Sequence, residues 1–131
     1  MKLKGGKMRS EEKMDKTKIL VVDDESRMRK LVKDFLARQG YTVLEAADGM
    51  EAMDYFYADK DIALIILDVM MPKMDGIKAM LKLRERNNIP IILVSAKGED
   101  ADKVFGLEFG ADDYITKPFN PLELIARVKS Q

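Results

Sequence analysis

Four apolar runs of this chain each end in a residue suited to phosphate chemistry. Ile19 to Val22 leads into Asp23 and Asp24, Ile62 to Leu67 into Asp68, Ile91 to Val94 into Ser95, and the short run Tyr114, Ile115, Thr116 into Lys117. If these runs are parallel strands of one sheet, their ends share the edge at which open α/β sheets bind ligands. Three carboxylates crowded there repel one another unless something compensates them. A hard divalent cation does so, and Mg²⁺ favours oxygen ligands drawn from a few carboxylates and a phosphate. An Asp68 exposed where its strand opens into Val69-Met70-Met71-Pro72 can attack a phosphoryl group and become an aspartyl phosphate. Lys117 then supplies a cation and Ser95 a hydroxyl for the phosphoryl oxygens. Taken singly, Asp24 could equally cap the following helix, Ser95 could be a structural strand-end serine, and Lys117 a solvated lysine. Their joint placement at four strand ends favours the metal and phosphoryl reading.

The elements that must position these residues are legible in the periodicity. From Glu25 to Gln39, Met28, Leu31, Val32, Phe35 and Leu36 form one helical stripe, and Gly40 stops it as a C-cap residue would. Tyr41 to Ala47 alternates loosely, as an edge strand does, and Asp48-Gly49 turns into a short helix through Ala52, Met53 and Phe56. The runs at 19–22, 62–67 and 91–94 are apolar without alternation, which predicts central parallel strands covered on both faces. Further helices are expected over Gly76 to Asn87, with Ile77, Met80 and Leu81 inward, and over Asp100 to Phe109. The last begins after Asn120-Pro121, with Asn as N-cap and Pro in the first turn. Five strands alternating with five helices make a doubly wound α/β domain.

Composition narrows the chemistry. The 131 residues suit one domain and contain neither Cys nor His. Disulfides, thiolate or imidazole metal sites and Ser/His/Asp catalysis are thereby excluded. No apolar stretch is long enough to span a membrane and no secretion signal opens the chain, so a cytoplasmic location without membrane contact is expected. Residues 1–18 carry seven Lys or Arg against three acids, leaving 16 basic and 20 acidic groups in 19–131. Residues 1–17 read as a disordered or expression-derived leader, and the mildly acidic remainder offers no basic stripe for nucleic acid. Gly5-Gly6-Lys7 is too short for a P-loop.

These residues resemble the receiver domain of two-component response regulators. The likeness covers about residues 18–131 and rests on Asp23-Asp24, on Asp68 four residues before Pro72, and on Asp75-Gly76, Ser95-Ala96 and Lys117-Pro118-Phe119. It implies a flavodoxin-like sheet of five parallel strands in order 2-1-3-4-5. It makes Asp68 the phosphoacceptor, a sensor histidine kinase the donor, and Mg²⁺ the cofactor. Asp23, Asp24, Asp68 and the backbone carbonyl of Met70 would hold the ion, Lys117 would contact the phosphoryl group, and Ser95 with Tyr114 would form the switch. A cis Lys117–Pro118 peptide is also implied.

Phe109 to Leu124 is similar to the subgroup whose receivers precede a winged-helix DNA-binding domain. That subgroup dimerises on phosphorylation through the face made by helix 100–109, strand 114–116 and the helix after 121. The likeness implies cross-dimer ion pairs of Lys103 with Glu123 and of Asp112 with Arg127, and a partner for Asp113 beyond Gln131. A merely solvated charged face is the plainer alternative, since exposed pairs contribute at most about 1 kcal/mol each. The adjacent like charges of Asp112 and Asp113 beside a switching aromatic favour the interface. The chain would then be the regulatory part of a transcription regulator, touching DNA only through an effector domain it lacks. Apolar Met70 and Lys97 neither position nor activate a water, so slow loss of the phosphoryl group is expected. Two other classes share parts of the pattern. A haloacid-dehalogenase-like phosphohydrolase would carry an acid where Met70 stands, and an FMN carrier would need a phosphate loop where Asp23-Asp24-Glu25 would repel it.

Overall fold

Apolar runs without a polar face can be buried only inside a sheet covered on both sides. The computed structural model describes residues 17–69, 76–85, 87–96 and 111–131. Along them follow β1 (Lys18–Val22), α1 (Ser26–Arg38), β2 (Thr42–Ala46), α2 (Gly49–Ala58), β3 (Ile62–Asp68), α3 (Gly76–Arg84), β4 (Ile91–Ala96), β5 (Asp113–Lys117) and α4 (Pro121–Lys129). The strands form one parallel sheet in the order β2-β1-β3-β4-β5, the flavodoxin-like arrangement expected. The leader up to residue 16, Met70, Asp75, Lys97, Lys103 and the helix expected over 100–109 lie outside the described residues.

Alternation along the strands separates two cores. Leu20, Val22, Ile65, Leu67, Ile91 and Leu93 pack with Ala52 and Met53 of α2 and with Ala79, Met80 and Leu83 of α3. Ile19, Val21, Leu64, Ile66, Ile92, Val94 and Ile115 pack with Val32 and Leu36 of α1 and with Leu124 and Val128 of α4. Both faces of β1, β3 and β4 are thus apolar, which is why their sequences do not alternate. β2 is an edge strand and only Ala46 in it is buried. Among the described residues no helix is long and apolar enough to cross a membrane.

Local signals set the helix ends. Gly40 adopts φ 94°, open to a residue without Cβ, and lets Gly40 N–H and Tyr41 N–H return to the carbonyls of Ala37 and Leu36. Asp48 caps α2 by accepting the Glu51 N–H, while Glu51 accepts the Ala47 N–H. Asn120 accepts the Leu122 N–H at the start of α4.

The alternative of an Asp24 cap on α1 falls away, because Glu25 stands at the N-cap without a side-chain bond and Asp23 Oδ1 takes the Glu25 N–H. Three placements need correction. α3 stops at Arg84 rather than Asn87, because Arg84 donates to the carbonyls of Asn87 and Ile89 and the Asn87 side chain takes the Ile89 N–H. The inward face of α3 carries Leu83, one turn beyond Met80, while Leu81 is 40% exposed. Leu31 likewise lies at the rim of the α1 stripe, 49% exposed, beside Phe35, Pro118 and Phe119.

At the edge where β4 and β5 begin, Asp112 accepts the buried Ile91 N–H and the Arg84 guanidinium, each at 2.8 Å, while its own N–H returns to the Ile91 carbonyl. Asp112→Ala leaves a buried N–H unsatisfied, and it should lower the unfolding free energy by about 1–3 kcal/mol in chemical denaturation. Asp112→Asn, which keeps an acceptor, should lose less.

Candidate functional site

Because all pairings are parallel, β1, β3, β4 and β5 end at one edge. Val22 lies beside Ala46 and Leu67, Asp68 beside Val94, and Ala96 beside Lys117. Asp68 and Lys117 therefore sit on the last rungs of the ladder and Ser95 one rung earlier, and none of them is a loop residue. Hydrogen bonding continues one step further, with Asp23 N–H on the Ala46 carbonyl and Val69 N–H on the Val94 carbonyl. The backbone flanking the acids is held by strand pairing on both sides.

This edge gathers the polar groups that the sheet otherwise excludes. Asp23 is 5% exposed, Asp68 6% and Ser95 1%, among core residues that are otherwise apolar. The exposure expected for Asp68 at the mouth of its loop is thus corrected: it ends β3, paired with Val94, and is buried. One carboxylate oxygen from each of Asp23, Asp24 and Asp68 lies within 4.8 Å of the others. Lys117 Nζ bridges two of them, at 3.0 Å from Asp23 Oδ2 and 3.2 Å from Asp68 Oδ2. Partial burial pushes the Lys117 ammonium down, but the hydrogen bond to Asp23 and the charges of Asp68 and Asp23 outweigh it. Its pKa lies above the ordinary value, so it stays charged across the neutral range. Three carboxylates against one ammonium leave two formal negative charges, a set of hard oxygen donors matched to a divalent cation.

Ser95 adds an unusual feature. Its hydroxyl is buried and has no hydrogen-bond partner among the described residues. Such a group costs about 1–3 kcal/mol relative to a bonded one. Strand alternation separates its surroundings from those of the nucleophile candidate. Asp68 and Lys117 continue the rows of Ile66 and Ile115 on the α1–α4 side, whereas Ser95 continues the row of Leu93 on the α2–α3 side. Half-buried Tyr114 lies beside Leu93 and packs against the same α2–α3 core. The Lys117–Pro118 peptide is cis.

The outer face of β5 and α4 carries a second charge group. Arg127 Nη1 donates to Asp113 Oδ1 at 2.7 Å and Nη2 to Glu123 Oε2 at 3.3 Å. The bond to Asp113 holds the guanidinium pKa above its already high value. Within one chain Arg127 therefore meets Asp113 and Glu123, not Asp112, whose carboxylate is engaged by Arg84 and Ile91.

The sequence reading missed Arg29. On α1, its Nη1 donates to the Asp23 carbonyl at 2.7 Å and its Nε to Glu45 Oε1 of β2 at 3.2 Å. A usable signal was the presence of Arg27, Arg29 and Lys30 among the first five residues of a helix whose first turn holds no acid, where acids are the favoured residues.

Comparison with known proteins agrees with this geometry. The family model of the response regulator receiver domain matches residues 19–129. The transcriptional regulatory protein SrrA of Staphylococcus aureus is 49% identical over 112 residues, covering 86% of this chain and 46% of that protein. The chain thus spans about half the length of the curated relatives it matches. The receiver domain of Francisella response regulator 1452 superposes with a TM-score of 0.80 at 38% identity, over 87% of this chain and 94% of that one. Vibrio cholerae chemotaxis protein CheY4 gives 0.82 at 32% identity, over 88% and 98%. With this sheet order, these strand ends and a match that runs nearly the length of the fold, the chain belongs to the response regulator receiver domain family of two-component systems.

Proposed function

We propose that this receiver domain accepts a phosphoryl group on Asp68 from a sensor histidine kinase, in a Mg²⁺-dependent reaction in the cytoplasm, and so controls a DNA-binding effector domain outside this chain. The observation that carries the reading is the buried Asp68 carboxylate, clustered with Asp23 and Asp24 and bridged to Asp23 by Lys117. Asp23, Asp24, Asp68 and the Met70 carbonyl would hold the ion. When bound, Mg²⁺ neutralises charge on the carboxylates and on the phosphoryl oxygens.

The chain's own residues supply the rest. An Asp68 oxygen forms the new O–P bond as the P–N bond of the donor phosphohistidine breaks, and the electron pair returns to the donor nitrogen. Lys117, already 3.2 Å from Asp68 Oδ2, balances charge on the transferred group with its ammonium. Ser95 gains a phosphoryl oxygen as partner for its unsatisfied hydroxyl, so the cost of burying it unpaired is recovered in the phosphorylated state. That gain biases the α2–α3 side of the sheet, where Tyr114 packs two residues back along the ladder.

The output surface is the β5–α4 face with the segment that includes Lys103, and phosphorylation favours a homodimer through it. Support comes from the Asp113, Glu123 and Arg127 group at the surface, where the exposed Arg127–Glu123 pair is weak enough to be exchanged for a cross-chain one. Pairing Asp112 across the dimer requires it to leave Arg84 and the Ile91 N–H.

Two measurements test the reading. Intact-mass analysis with acetyl phosphate and Mg²⁺ should show one added phosphoryl group, no addition in Asp68→Asn, slow loss of the group from wild type, and a shift toward dimer in gel filtration. Persistent labelling of Asp68→Asn, or a half-life of seconds, would contradict it. In thermal or chemical unfolding, Mg²⁺ at a hundredfold excess over its dissociation constant should stabilise the wild type by about 2.7 kcal/mol. Asp24→Asn should lose most of that gain while its metal-free stability stays within about 0.5 kcal/mol of wild type or rises.

A further inference from the structure

Arg29 sits against the grain of helix chemistry. α1 opens with Ser26, Arg27, Met28, Arg29 and Lys30, with no acid in its first turn. The positive end of the helix dipole disfavours cations there. Arg27 and Lys30 are exposed to solvent, but the Arg29 side chain is only 16% exposed. Residues that break a local preference while held in place point to a functional demand on the sequence.

The two bonds of its guanidinium show what it holds. One goes to Glu45 on β2, itself also paired with Lys33, and the other to the Asp23 carbonyl. That carbonyl belongs to the planar peptide unit that includes the Asp24 Cα. Fixing the oxygen fixes the plane, and with it the direction from which Asp24 leaves the backbone. Asp23 has anchors of its own in the Glu25 N–H and the Lys117 ammonium. The exposed Asp24 carboxylate makes no hydrogen bond among the described residues, so its approach to the cluster is set by its backbone.

We propose that Arg29 is a positioning residue for the divalent cation: by clamping the Asp23–Asp24 peptide to β2, it presents the Asp24 carboxylate to the ion held by Asp23 and Asp68. The inference rests on the Mg²⁺-dependent reading given above. Its sign distinguishes it from simple electrostatics. A cation beside an anionic cluster repels Mg²⁺, so a purely Coulombic role predicts tighter binding when Arg29 is removed. The positioning role predicts weaker binding, since groups that orient metal ligands typically contribute about ten- to hundredfold in affinity.

The test is calorimetric titration of the full chain with Mg²⁺, with metal-free unfolding of every variant as a check on folding. Arg29→Met should weaken Mg²⁺ binding by about tenfold or more. Arg29→Lys keeps the charge but cannot span both acceptors, and it should weaken binding less. Combined with Asp24→Asn, the Arg29→Met change should add little, because a ligand already removed no longer needs orienting. Unchanged or tighter binding in Arg29→Met, or full additivity with Asp24→Asn, would overturn the inference while leaving the site itself standing. If Arg29→Met does not fold, Arg29→Lys with and without Asp24→Asn carries the same comparison. A wild-type chain that binds no Mg²⁺ at millimolar concentration would remove the site reading, and this inference with it.

Discussion

Mutual repulsion among the carboxylates of Asp23, Asp24 and Asp68 is the constraint on which the rest of the structure turns. Two of the three are almost wholly buried, and Lys117 lies between them as an internal counter-charge. Holding like charges this close costs free energy that the apolar sheet must supply through burial on both faces. The fold accordingly devotes its best-packed strands, β1, β3 and β4, to the elements that end in the cluster. The crowding is also what makes the edge receptive, since any added cation or cation-bridged anion relieves it.

The ladder explains how such an arrangement stays in register. Asp68, Ser95 and Lys117 sit on strand residues, and the backbone around Asp23 and Val69 is tied to neighbouring strands. Rigid elements position functional groups more closely than loops can. Asp24 is the exception, two residues past the last rung of β1 and exposed, and this is where Arg29 reaches across from α1.

Most of this was legible in the sequence because it depends on local order. The unbroken apolar runs identified the central strands, and the residues after the runs marked the groups that meet at the candidate site, since a parallel sheet puts those ends together whatever its loops do. Gly40, Asp48 and Asn120 marked helix ends through their own backbone or side-chain chemistry. What escaped were interactions between residues distant in the chain. The partners of Arg29, Glu45 and Arg84 depend on which helix lies over which strand, and periodicity does not report that. Leu31 and Leu81 were misplaced because an apolar stripe has a width, and the sequence does not say where its rim meets solvent. The reach of Asp112 to Arg84 and the Ile91 N–H was hidden in the same way, since its chemistry alone suits a solvated ion pair equally well.

The alternation that sets Asp68 and Lys117 on one side of the sheet and Ser95 with Tyr114 on the other divides the molecule into two compartments. Among the described residues, a substitution in one core meets the other across the strand backbones between them. The half around Leu93 and Tyr114 can therefore be repacked without altering the side chains that line the half around Ile66 and Ile115, so the two halves are free to vary independently.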